Sequence, residues 1–174
     1  MGSIIEEEGT CLEDVKARIG MAKNAFNNKK ELLCRRLSKE LKKKIVTTVV
    51  WPVALYGCET WTLRDAECKR LEAFEMWVWR RMEKVSYKDR VTNEEVLKNF
   101  GENICLLDNI RARKRNWVGH VLRGEGLMRE VMEGRMEWER TRGRPRKGML
   151  DEFLANESYA QMKRRAHDRE RFKF

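Results

Sequence analysis

Residues 62–83 read TLRDAECKRLEAFEMWVWRRME. Leu71, Phe74, Val78 and Met82 recur at helical spacing, Leu63 extends the series and Trp77 lies beside it. Charged residues occupy the remaining faces. This is the pattern of an amphipathic helix with one face turned to a core. Thr62-x-x-Asp65 is placed to cap this helix. Gly57 interrupts the chain before it.

The flanks repeat the pattern. Thr10-x-x-Glu13 opens a helix expected over about 11–28, with Val15, Ile19, Ala22 and Phe26 as its apolar face. Ser38 is placed to cap a helix through Leu41, Ile45, Val49 and Val50, which Pro52 should bend or end. Val46 to Val50 is β-branched and competes as a strand; the helical flanks favour helix. Thr92-x-x-Glu95 opens a short helix ending at Gly101. Leu106, Leu107, Ile110, Trp117, Val118 and Val121 define another over about 104–123, closed by Gly124 and Gly126. A short helix and then a short strand are expected in 127–140, a loop in 141–148, and a polar, partly frayed helix over about 149–170. The fold class expected is mostly α, an irregular bundle of about six helices with at most a minor β-hairpin.

Charge narrows the function classes. The chain has 174 residues, 38 of them Lys or Arg, and a net charge of +10. A protein this basic usually meets an acidic partner, nucleic acid first. The charge is uneven: residues 111–147 carry 12 basic and 5 acidic side chains, whereas 51–110 carry 9 and 11. Two basic zones, Lys29 to Lys44 and Arg111 to Lys147, flank that near-neutral middle and are candidates to line one groove. The five cysteines are odd in number, with no close pair, and Ile4 and Ile5 run into Glu6, Glu7 and Glu8 rather than a secretory signal. An intracellular protein with reduced thiols is expected, nucleus or cytoplasm left open. No apolar run reaches the roughly 18–20 residues of a membrane helix, so no membrane partner is expected. With no Cys-x-x-Cys and with His120 far from His167, no metal site is expected. No nucleophile constellation, phosphate-binding glycine loop or close aspartate pair is visible, so no catalytic residue is expected.

An ordered series of motifs runs through the chain. Leu55-Tyr56-Gly57-Cys58-Glu59-Thr60-Trp61 is followed by Arg70-Leu71-Glu72-Ala73-Phe74-Glu75-Met76-Trp77 and Trp79-Arg80-Arg81-Met82. Asp89-Arg90-Val91-Thr92-Asn93-Glu94-Glu95-Val96-Leu97, Trp117-Val118-Gly119-His120-Val121-Leu122-Arg123 and Gly143-Arg144-Pro145 complete it. In this order and spacing, residues 2–154 resemble the C-terminal part of the endonuclease–reverse transcriptase of non-long-terminal-repeat retrotransposons. The resemblance implies a thumb-like helical segment (1–61) after an absent palm, then a C-terminal extension (62–154); residues 155–174 are a polar helical tail outside it. It also implies that the magnesium-binding aspartates belong to the palm, so this chain needs no cofactor of its own. Its partners would be RNA or DNA, and the remainder of the polymerase; the oligomeric state is left open.

A thumb tracks the template–primer by its backbone, without reading sequence. The candidate phosphate contacts are Lys42, Lys43 and Lys44, then Arg111, Arg113, Lys114 and Arg115, then Arg142, Arg144, Arg146 and Lys147. The last four lie in Arg-Gly-Arg-Pro-Arg-Lys, which alone has the form of an A·T minor-groove hook. A stand-alone minor-groove protein is therefore one alternative, and a non-functional relic fragment another. Trp117 reads as a buried indole and His120 as a backbone-bonded histidine, with base stacking by Trp117 as the competing reading.

Overall fold

A computed structural model describes residues 2–4, 10–34, 37–101, 106–134, 148–154, 158–168 and 172. The chain is mostly α-helical, and no strand occurs among the described residues. It forms two compact units: Met1–Cys58 with Leu63–Ile110, and Glu59–Thr62 with Arg111–Phe174.

The first unit is built around helices α1 (Leu12–Asn28), α2 (Lys30–Cys34), α3 (Lys39–Ile45), α4 (Trp51–Ala54), α5 (Asp65–Glu83) and α6 (Asn93–Phe100). Val15, Ala22 and Phe26 of α1 are buried, as their spacing predicts. Helix α1 packs on α4 and α5. Trp51, Phe74, Trp79 and Phe100 form an edge-on and tilted aromatic chain with centroids 5.0–5.9 Å apart.

Between α3 and α4, Val46–Val50 is a π-helical turn rather than a strand. The Trp51 amide reaches five residues back to the Val46 carbonyl. This wider turn takes the chain past Pro52, which has no amide to donate, so the helical path ends at Ala54 instead of at the proline. Thr47 and Thr48 donate their hydroxyls back to the Lys44 carbonyl at 3.0 and 2.7 Å. Such back-bonding competes with regular helix hydrogen bonding.

Helix α5 starts by a different device from the one its sequence suggests. The carboxylate that reaches back is that of Glu67, which accepts from the Arg64 amide at 2.9 Å. Glu67 and Glu75, which the sequence places among the charged residues of this helix, are both buried. Glu75, 5% exposed, accepts from the Leu106 amide at 2.8 Å and from the Trp79 indole at 3.4 Å. In α6 the Thr92–Glu95 box forms as expected, at 3.2 and 2.8 Å, and Gly101 ends the helix at φ +62°.

Helix α7 (Leu106–Arg123) begins in the first unit and supplies the main helix of the second. There it is joined by α8 (Leu127–Glu133), α9 (Asp151–Leu154) and α10 (Tyr159–His167). Within the tail, α10 opens at a capping box, Ser158 with Gln161, and Met162, Ala166 and Phe172 are buried with Val118 and Leu122. Two apolar residues one turn apart suffice for docking, because the partner helix supplies the rest of the core. The strand expected near 135–140 lies outside the described residues.

Helices α8 and α10 are tied at Glu133. Its carboxyl is held down to about 2 by the Lys163 ammonium first, then by the Tyr159 hydroxyl, with Arg129 also bonded to it. The Tyr159 hydroxyl donates to Glu133 at 2.8 Å, and burial and that carboxylate push the phenol up to about 12. The depressed acid stabilises the fold above pH 4.5, its ordinary value, and that support is lost as pH falls through about 2. The raised phenol contributes below pH 10 and loses its contribution as pH rises through about 12. Amide exchange in α8 is therefore expected to accelerate as pH falls below 4.5, after correction for intrinsic rates. Glu133→Gln should show fast exchange at neutral pH and no further acid step.

Candidate nucleic-acid interface

The cations singled out from the sequence have distinct environments. Those on α3 begin with Lys42, whose ammonium donates to the Met82 carbonyl at 3.4 Å, in the last turn of α5. A cation there complements the negative end of the helix dipole. Neighbouring Lys39 lies 3.4 Å from Glu83 and donates to the Asn99 carbonyl at 2.9 Å. Lys43 is half-buried and Lys44 is exposed.

On α7, Arg111 is exposed and lies 3.0 Å from Glu152. Arg113 is exposed and lies 4.0 Å from Glu59. Arg115 is half-buried, with its guanidinium 5.8 Å from the Phe153 ring centroid. Lys114, a candidate phosphate contact by sequence, is only 3% exposed. Four-residue spacing puts it in line with the buried Ile110, Val118 and Leu122. Its ammonium lies 3.5 Å from Glu152 and 5.6 Å from the Phe153 ring centroid. Glu152 and Phe153 of α9 thus organise the basic edge of α7. No periodicity singles them out, because their partners lie some 40 residues earlier.

Lys42 to Lys44 belong to the first unit and Arg111 to Arg115 to the second. Arg142, Arg144, Arg146 and Lys147 lie outside the described residues. Trp117 is half-buried against the core of the second unit, as a packing indole would be. His120 is exposed. Among the described residues no group of three His, Cys, Asp or Glu side chains is placed to hold a metal ion, and no helix is long and apolar enough to cross a membrane.

Neither a protein-family model, nor a curated protein, nor a solved structure matches the chain.

Proposed function

We propose that this chain grips a nucleic acid by its phosphate backbone, without catalysis of its own, as the thumb and C-terminal region of a retrotransposon reverse transcriptase. The family assignment rests on the ordered motifs between Leu55 and Pro145. The observation that carries the binding reading is the exposure of Lys44, Arg111 and Arg113 in a chain of net charge +10. Arg111 lies 3.0 Å from Glu152 and Arg113 4.0 Å from Glu59, and both guanidinium side chains are exposed. Such pairs contribute only about 0–1 kcal/mol, so exchanging the carboxylate for a phosphate costs little. Lys114, buried beside the exposed Glu152, is better read as a packing cation, and Lys42 as a helix-end contact.

The test is the salt dependence of binding to a short labelled RNA–DNA duplex, followed by anisotropy. Affinity is expected to fall steeply between about 50 and 200 mM salt. In the triple variant Lys44→Ala, Arg111→Ala, Arg113→Ala the slope of log K against log salt should shrink by about 1 for each phosphate-binding cation removed. Binding equally tight at both salt concentrations would sink the proposal. Duplexes of different sequence should bind alike; a strong A·T preference would favour the minor-groove alternative.

A second reading, a fragment deprived of its partner surface, is favoured by one feature. Helix α8 exposes Leu127, Met128 and Val131, at 72, 52 and 68%. Self-association relieved by Leu127→Gln and Val131→Gln, together with absent nucleic-acid binding, would support it.

A further inference from the structure

The turn between α5 and α6 forms a cationic concave surface on the first unit. Residues 80–92 carry five basic and two acidic side chains, inside a stretch whose overall charge is slightly negative. An open cleft of about 860 Å³ is lined here by Arg80, Val85, Lys88, Arg90, Val91 and Thr92. Among the described residues no carboxylate lines it. Asp89, in the same turn, faces its own backbone and accepts from the Ser86 amide at 2.6 Å.

Three features suit this cleft to an oxyanion. The Arg80 guanidinium is fixed by hydrogen bonds from Nη2 to the Val91 carbonyl at 2.7 Å and to Asn93 Oδ1 at 2.8 Å. Its Nε also bonds Asn93, at 3.3 Å, which leaves Nη1 as a held donor. Lys88 and Arg90 are exposed and bring two cations to the same lining. The Thr92 hydroxyl accepts from the Glu95 amide at 3.2 Å, so its own proton is free to be donated. Arg90 also sits at φ +51°, where glycine or asparagine is the easier residue. A strained position that nevertheless holds a cation suggests that the side chain is there for a contact.

We infer that the cleft formed by Arg80, Lys88, Arg90 and Thr92 binds a phosphate of the nucleic-acid backbone, as a contact point additional to those on α3 and α7. This rests on the proposed backbone-binding function and locates part of it. Arg80 would orient the phosphate, and Lys88 and Arg90 would neutralise it.

The backbone at position 90 allows a discriminating test. Arg90→Gly removes the charge while suiting the left-handed conformation, so the variant is expected to melt no lower than the wild type. Combined with Lys88→Ala, it should reduce the salt slope for the RNA–DNA duplex by about 2. Arg90→Lys should keep the slope. Millimolar inorganic phosphate, but not chloride, should shift the amide resonances of residues 88–92. A folded Lys88→Ala, Arg90→Gly variant with the wild-type slope would overturn the inference and leave the proposed function standing. If the wild type binds no duplex at low salt, the proposed function fails first. In that event phosphate shifts at 88–92 would identify a free-phosphate site and overturn the assignment to a strand.

Discussion

Glu75→Leu is expected to destabilise the first unit by about 2–6 kcal/mol, from two buried donors left without an acceptor at about 1–3 kcal/mol each. The buried carboxylate links two helices. It takes the Leu106 amide at the start of α7 and the Trp79 indole one turn along α5. The first amides of a helix have no partner within it, so an acceptor from elsewhere must satisfy them. Leucine fills similar space and accepts nothing. Glu75→Gln keeps one acceptor oxygen but turns an amide donor toward the other position, so a smaller loss is expected. Urea unfolding followed by tryptophan fluorescence measures the loss, and amide exchange at Leu106 locates it. A leucine variant as stable as the wild type, with a protected Leu106 amide, would refute this role.

The second large effect is expected at Gly119, within Trp117-Val118-Gly119-His120. A Cβ built there meets the Phe172 ring at 2.7 and 2.9 Å and the Arg123 guanidinium at 3.1 Å. The glycine is a notch for a ring contributed from residue 172, near the chain end. Phe172 is 5% exposed. Arg123 cannot swing away freely, because its Nη1 donates to the Ala166 carbonyl at 2.6 Å near the end of α10. Gly119→Val is therefore expected to cost about 3 kcal/mol by overpacking. Phe172→Ala is expected to cost about 3–5 kcal/mol through the cavity it opens. Combined, the two should cost less than their sum by about 1 kcal/mol or more, because the second removes what the first collides with. Strict additivity in the double-mutant cycle would show that the notch and the ring do not meet.

Much of the helical framework is legible in the sequence because its signals are local. The Thr92–Glu95 box, Gly101 and the apolar faces of α1, α5 and α7 each depend on residues within a few turns. The start of α5 is less legible, since Thr62-x-x-Asp65 and the Glu67 contact to Arg64 are overlapping solutions a few residues apart. The tail is less legible again. Met162 and Ala166 look too sparse for a core helix until α7 is placed beside them. The π-helical turn at Val46–Val50 has β-branched residues that read equally as a strand, and the helices on either side decide the matter.

Among the candidate binding residues the division is the same. Sequence determined that the chain is strongly basic, mostly helical and rich in cations on α3 and α7, because charge and periodicity are properties of the residues themselves. Only the tertiary structure decided which of those charges remain on the surface. It buried Lys114 beside Glu152, set Lys42 on the end of α5, and gathered Arg80, Lys88 and Arg90 around one cleft in a stretch whose summed charge is unremarkable. The reason is physical: burial and pairing arise between residues far apart in the chain, and a local count of charges contains no information about which of them meet.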